Sequence, residues 1–415
     1  MRGEIICIGD ELINGRVAET NSRYAASRLW PLGISVDWVV MVGDDPQAIK
    51  EALAQALSRA DFVLVSGGLG ATDDDLTAAT AAEVFGLPLA ESKRMIKNLR
   101  AFWSERGSAL PSEARKMAWL PQGAKILCST CAGFSLQAPG GQPVYFLPGV
   151  PEEMRYITDT TIVPELLSLS GDNDAVAFRE LSVFGLGETE VNTRLQDLEL
   201  AGARIGYYPR FPLISLTISA RDSSPDQAQE RVSSLVDQIR SRLGDYIVAA
   251  DGQTLEEEVA QAMIAQGLTL ALAESCTGGL IGHRLTQVSG SSAFFERGLV
   301  VYSNRAKQEL LGVRPEVLQA HGAVSSQTAA EMALGAARNS GADLGLAVTG
   351  IAGPTGGTPA KPVGTVFFGL AREEKVRTGG YLFHGSRSQI KAQAAETALD
   401  WLRRYLNDHA YLHST

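Results

Sequence analysis

The sequence predicts an α/β protein of three successive units: an N-terminal parallel α/β domain, a small α+β middle domain and a C-terminal α/β domain. Three observations predict it. Short apolar runs alternate with amphipathic stretches over the first 165 residues, the texture turns polar after Pro164, and a second strand–helix alternation runs from Leu255 onward. In the first unit the strands are EIICIG, ISVDWVVMV and DFVLVSGG, with helices from about Ala18 to Trp30 and from about Pro46. The polar stretch SLSGDNDAVAF reads as a linker. In the middle unit RELSVFG and PLISLTISA read as strands, and ETEVNTRLQDLEL and the segment from about Pro225 to Leu243 as helices. The turn AADGQT then precedes a unit with strands LTLALAE, DLGLAVTG and PVGTVFFGLA, closing on a helix from about Ser388 to Leu406.

A chain of 415 residues exceeds what one core usually serves. Apolar residues at 45% and charged residues at 20% argue against extended disorder. No apolar run approaches the roughly 20 residues of a membrane span, and the N-terminus lacks a signal peptide's pattern, so a cytoplasmic protein without membrane contact is expected. The formal net charge of −10 disfavours a broad nucleic-acid footprint. Cys7, Cys128, Cys131 and Cys276 are too scattered for a disulfide scaffold. Cys128 and Cys131 form a C-x-x-C, half a metal site at best, and are read as strand and loop thiols.

Two loops carry chemistry in the first unit. SGGLGATDDD follows a strand and opens a helix, so Gly67, Gly68 and Gly70, with Thr72, suit close approach of backbone N–H groups to an anion. GDELING brings Asp10 to the same sheet edge, where open α/β sheets collect ligands. Carboxylates beside a phosphate loop require a cation between them, so Asp10, Asp74 and Asp75 suggest a divalent metal. The equal alternative is a tight turn with aspartates capping a helix.

In the last unit AESCTGG lies between a strand and a helix, a turn that exposes a nucleophile and offers N–H groups as an oxyanion hole. Ser275, Cys276 and Thr277 are adjacent candidates. SNRAK places Lys307 at the start of a helix entered by Tyr302 and Asn304. Lysine serves as base for serine when burial or a neighbouring cation such as Arg305 lowers its proton affinity. His283, His321 and His384 read as surface or capping residues, and His409 and His413 as part of a frayed tail. TGIAGPTGG, from Thr349 to Gly357, reads either as a second anion loop or as a flexible surface loop.

The pieces GDELINGRVAETN, VGDDPQAI, GGLGATDDDLT, LPQGA and PGVPEEM resemble, in order and spacing, the N-terminal domain of the CinA family, similar in fold to the molybdopterin-binding MoaB and MogA proteins. The resemblance implies metal-dependent cleavage of ADP-ribose. One departure is KILCSTCAGF, which stands where the family has an asparagine and a GTAPGF-like loop. Residues of about 175 to 250 resemble the family's KH-like domain, without the GXXG clamp of nucleic-acid binders. AESCTGG, GSSAFFERGLVVYSNRAK, HGAVS and GIAGPTGG with KPVGTV resemble the CinA C-terminal domain. That resemblance implies deamidation of nicotinamide mononucleotide without a cofactor. Ser275 would be the nucleophile and Lys307 the base, Tyr302 would assist proton transfer, and Gly278 and Gly279 would shape the oxyanion site. Thr277, Asn304, Thr349, Gly350, Gly353, Gly356 and Gly357 would line the substrate. The implied domains are 1–168, 175–250 and 252–415, in a homodimer acting on small nucleotides. Two alternatives are a competence or DNA-damage accessory protein acting through partners, and a pterin- or nucleotide-binding regulator.

Overall fold

The computed structural model describes residues 1–171 and 175–413. The chain divides into two compact units, Met1–Ala177 with Arg221–Gln229, and Phe178–Ala220 with the chain from Glu230 on. No helix among the described residues is long and apolar enough to cross a membrane.

In the first unit six strands form one sheet: β1 (Arg2–Ile8), β2 (Ser35–Val42), β3 (Phe62–Ser66), β4 (Lys125–Ile126), β5 (Phe134–Gln137) and β6 (Pro143–Leu147), in the order β2-β1-β3-β6-β5-β4. Strands β2, β1, β3 and β6 run parallel, β5 pairs antiparallel to β6, and β4 pairs antiparallel to β5. The sheet is therefore mixed rather than parallel, because the segment around LCSTCAGF folds back as an edge hairpin. Strand alternation sends successive side chains to opposite faces. Ile6, Ile8, Val63 and Val65 meet Ile49 and Leu53 of helix α2 (Pro46–Arg59) on one face, and Ile5, Cys7, Phe62 and Leu64 meet Ala25 and Leu29 of α1 (Asn21–Leu29) on the other. Such two-sided burial explains why β1 and β3 are continuous apolar runs. Helix α2 starts where Asp45 accepts the Ala48 N–H at 2.8 Å and Pro46 sits in the first turn.

The second unit contains two sheets. Strands β7 (Ala175–Val183), β8 (Arg204–Arg210), β9 (Leu213–Asp222) and β10 (Ile247–Ala250) are ordered β8-β9-β7-β10. Part of the expected linker is therefore strand, since β7 begins at Ala175, while its residues 172–174 lie outside the described residues. Strands β11 (Leu270–Glu274), β12 (Phe295–Val300), β13 (Leu344–Gly350), β14 (Thr365–Arg372) and β15 (Lys375–Leu382) are ordered β12-β11-β13-β14-β15. The first three are parallel, and β14 and β15 are antiparallel additions.

One face of this sheet, Leu270, Leu272, Leu346, Val348 and Phe368, buries against helices α3 (Leu255–Gln266) and α7 (Arg387–Asn407). Each fully buried leucine there contributes roughly 1.5–3 kcal/mol. The opposite face carries Ala271, Ala273 and Ala347 and admits helix α6 (Ser326–Ser340) closely. A Cβ on Gly345 would lie 2.0 Å from the Ala333 carbonyl oxygen, so glycine is required at that approach. The middle sheet packs with this core rather than apart from it: Val248 is one of its buried members, and Phe184 and Leu213 lie against it.

Candidate active site

Strand β11 delivers the nucleophile turn. Its continuation is fixed by the Ser275 N–H, which donates to the Val348 carbonyl at 2.9 Å. Residues 276–279 then turn sharply, with Gly278 at φ +63° and Gly279 at φ +92°, into helix α4 (Leu280–Gln287). These left-handed angles suit glycine and exclude most side chains at little cost only there. From the neighbouring strand β12 the chain enters helix α5 (Asn304–Leu311), capped by Ser303, whose Oγ accepts the Ala306 N–H at 3.1 Å. The second residue of the pair, Lys307, rises from this helix into the interior.

Ser275 is 7% exposed and Lys307 only 1%. Lys307 Nζ lies 3.0 Å from Ser275 Oγ, 2.8 Å from the Val301 carbonyl oxygen and 3.5 Å from that of Tyr302. Burial lowers the lysine's proton affinity below its ordinary value. The Arg305 expected to assist is instead 83% exposed and paired with Glu309. A neutral amine has two N–H donors and one lone pair. In its neutral form, with the two carbonyls taking the donors, the amine would turn its lone pair to the serine hydroxyl, the arrangement a general base needs.

The other sequence-derived residues are distributed unevenly. Cys276 is buried and its thiol is pushed up to about 12 by that burial. Thr277 is fully buried, and its Oγ1 has no hydrogen-bond partner among the described residues. The phenol of Tyr302 is not brought to the dyad: the side chain is exposed and its oxygen accepts from Arg387 Nη2 at 3.0 Å, leaving only its main-chain carbonyl near Lys307. Asn304 is exposed at the start of α5. The Gly279 N–H donates to Glu274 Oε2 at 2.9 Å and so is not free for an oxyanion. Thr349 Oγ1 donates to the Ala323 carbonyl at 2.8 Å, and Lys361 Nζ donates to the carbonyls of His321 and Val324 at 2.8 and 2.6 Å. These contacts tie HGAVS to the loop that follows Gly350 and contains Gly353, Gly356 and Gly357.

Sequence reasoning missed two cations. Arg387 Nη1 donates to the Gly353 carbonyl at 2.7 Å, and a Cβ on Gly278 would lie 3.6 Å from Lys391 Nζ. Both stand in the opening turns of α7, whose first turn carries no acidic residue. Helix starts favour acids. Basic residues just behind the cap Ser386 were therefore a readable signal of an anion nearby. A cavity of about 790 Å³ in the same unit, lined by residues such as Phe211, Tyr246, Tyr381 and Trp401, touches none of the dyad.

In the first unit, Gly67 and Gly68 have positive φ and Thr77 Oγ1 donates to the Gly67 carbonyl at 2.9 Å. Asp75 is spent inside the loop: its oxygens accept from the Gly70 N–H at 2.7 Å, the Thr72 N–H at 2.8 Å and the Thr72 hydroxyl at 2.5 Å. Asp10 and Asp44 exchange backbone contacts, each accepting the other's N–H, at 2.9 and 3.2 Å. Asp44 is held above the ordinary aspartate range by burial, with Asp10, Glu11 and Asp74 adding negative charge. Hydrogen bonding from Thr72 holds the exposed Asp74 below its ordinary value. Among the described residues no group of three or more His, Cys, Asp or Glu is placed to hold a metal. The foreseen ligand set of Asp10, Asp74 and Asp75 therefore does not fit, because Asp75 closes its own turn. Cys128 and Cys131, read as free thiols, are joined as a disulfide.

Residues 4–168 match a probable molybdopterin binding domain, residues 178–249 the damage-inducible protein CinA KH domain, and residues 252–406 the CinA C-terminal domain. A CinA-like protein of Desulfotalea psychrophila is 41% identical over 97% of this chain and 98% of its own length. A CinA-like protein of Geotalea daltonii is 43% identical, with 98% and 99% covered. A solved CinA superfamily protein of Klebsiella pneumoniae shares 38% identity, covering 37% of this chain and 99% of its own at a TM-score of 0.36. With relatives of this similarity aligned over almost its whole length, the chain belongs to the CinA family.

Proposed function

We propose that the protein is a nicotinamide-nucleotide amidase, converting nicotinamide mononucleotide and water to nicotinate mononucleotide and ammonia. The observation that carries this reading is the buried Ser275–Lys307 contact of 3.0 Å, with the remaining lysine donors held by main-chain carbonyls. Ser275 Oγ attacks the carboxamide carbon while Lys307 Nζ takes the hydroxyl proton. The same proton passes to the departing nitrogen, which leaves as ammonia. Water then attacks the acyl-serine, giving its proton to Lys307 and releasing the carboxylate as Ser275 is restored. N–H groups of the turn ahead of Gly279 face the developing oxyanion. Arg387 and Lys391, beside the glycine loop at the start of α7, supply charge for the substrate phosphate, and Tyr302, pinned by Arg387, forms a wall of the ring site. The chemistry calls for no cofactor.

Ammonia release from nicotinamide mononucleotide by purified protein tests the reading, and its absence at saturating substrate would sink it. A second reading, pyrophosphate cleavage of ADP-ribose by the first unit, is favoured by the positive-φ turn at Gly67 and Gly68 on the carboxyl edge of the sheet. The lack of a three-carboxylate ligand set gives no basis for routing a step through a metal there. Production of AMP from ADP-ribose, assayed with each common divalent metal, checks it.

A further inference from the structure

Glu274, the residue just before the nucleophile, is 2% exposed, an expensive place for a carboxylate without partners. Its partners are the N–H groups that helix α4 leaves open. Oε2 accepts from Gly279 at 2.9 Å and Ile281 at 3.2 Å, and Oε1 accepts from Gly282 at 2.8 Å. The N-cap, Gly279, has no side chain to do this. One carboxylate five to eight residues upstream therefore caps the helix from beneath the turn.

The backbone of the same residue reaches the other half of the dyad. The Glu274 carbonyl accepts the Val301 N–H at 2.8 Å, and the Val301 carbonyl in turn accepts from Lys307 Nζ at 2.8 Å. Serine and lysine come from different elements, and Glu274 is bonded to the supports of both. It also fills the anion site at the start of α4, leaving that terminus closed to a substrate phosphate.

We infer that Glu274 is a positioning residue, which holds the turn from Ser275 to Gly279 in the geometry of attack by capping α4 internally. The inference rests on the amidase reading for its substrate but not for its test. In Glu274→Gln the amide oxygen can keep the bonds to Gly279 and Ile281, while its NH₂ group meets the Gly282 N–H donor to donor. One of three contacts is lost and the volume is kept.

Two readouts decide the matter in the full chain: phosphonylation of Ser275 by an uncharged fluorophosphonate, in which Oγ displaces fluoride from phosphorus, followed as rate and as stoichiometry by intact mass, and kcat and KM with nicotinamide mononucleotide. Small misplacements of reacting groups cost rates of up to about 100-fold. Glu274→Gln is expected to label fully, to one adduct per chain, yet at least about fivefold more slowly, with kcat falling in parallel, KM little changed and the pH midpoint of the reaction unmoved. A smaller fall in both rates overturns the inference. So does labelling whose stoichiometry drops with activity, which marks a general loss of folded protein. Should Glu274→Gln fail to fold, Glu274→Asp, which keeps the charge but draws the carboxylate back by one methylene from the Gly279, Ile281 and Gly282 N–H groups, perturbs the same cap, and an unchanged labelling rate there counts against it. Wild-type protein that is phosphonylated at Ser275 but releases no ammonia refutes the amidase reading alone, and failure to label refutes both.

Discussion

Cys276 stands next to Ser275 and is the stronger nucleophile in water, but only as a thiolate. Its thiol, pushed up to about 12 by burial, stays protonated at neutral pH, and no histidine is bonded to it among the described residues. Cys276→Ser should therefore keep kcat within about threefold and iodoacetamide should inactivate slowly, whereas Ser275→Ala and Lys307→Met should each lower kcat by about 10³-fold or more. Ammonia release measures all three. Loss of activity in Cys276→Ser with survival of Ser275→Ala would reverse the assignment. Lys307 also predicts a pH signature. Its folded-state proton affinity is lowered by burial, so in the window between that lowered value and the ordinary lysine range the unfolded chain binds more protons. Stability should rise with pH across this window, by at most about 1.4 kcal/mol per unit, and Lys307→Met should lack that slope in urea titrations. Serine and lysine were legible because AESCTGG and SNRAK place them at element ends. The placement of the Tyr302 phenol was not legible, because a sequence gives position on an element and not the rotamer, and here the phenol turns to Arg387. For Arg387→Met the expected outcome is a KM for the mononucleotide raised about tenfold or more, with a smaller change in kcat; an equal fall in kcat at constant KM would remove it from phosphate binding.

Elements are joined behind the site by one guanidinium. Arg284 of α4 reaches Glu256 of α3 at 2.7 Å and Glu396 of α7 at 2.7 Å, linking the helix that follows the nucleophile to the helix that starts with Arg387. Glu396 is 2% exposed, and burial already holds its carboxyl above the ordinary glutamate value despite the arginine. Removing the partner strands a buried charge, so Arg284→Met should cost on the order of 3 kcal/mol at pH 8 by denaturant unfolding. With its folded-state affinity raised, Glu396 binds a proton more readily in the folded chain than in the unfolded one, and stability falls as pH rises through that interval. The penalty should therefore shrink toward pH 5. A pH-independent penalty would mean that packing of the arginine stem, not charge, is what α4 and α7 share. At this scale the apolar strands β1, β3, β11 and β13 were readable as continuous buried runs. Strand β15 was not, because KVRTGGYL is a largely exposed edge with two glycines and no apolar period. The same limit hid the antiparallel edges of both sheets, since strand direction depends on connections that composition does not encode.

The division of the whole chain follows packing rather than sequence texture. AADGQT marks a turn, and Thr254 and Glu257 form a capping box that starts α3 cleanly, so a break after Asp251 looks complete on local signals. Yet Val248 belongs to the core of the last sheet, Phe184 and Leu213 cover it, and Arg403 Nη2 donates to the Asp245 carbonyl at 2.7 Å. His409, expected in a frayed tail, is likewise docked: it stacks on Tyr405 at 4.8 Å and its Nε2 lies 2.9 Å from Gln266 Oε1. Every residue assigned to the amidase lies beyond Asp251, so a fragment of 252–415 should fold and deamidate with kcat near that of the full chain. It should also be less stable, because cutting at that turn exposes the apolar surface that Val248, Phe184 and Leu213 cover. A fragment of 178–415 keeps that cover and should melt several degrees higher, since each 1 kcal/mol moves Tm by about 2–4 °C at this size. Equal melting temperatures for the two fragments would show that the middle sheet contributes nothing to the stability of the last one, and an inactive but folded short fragment would show that the reactive geometry depends on it.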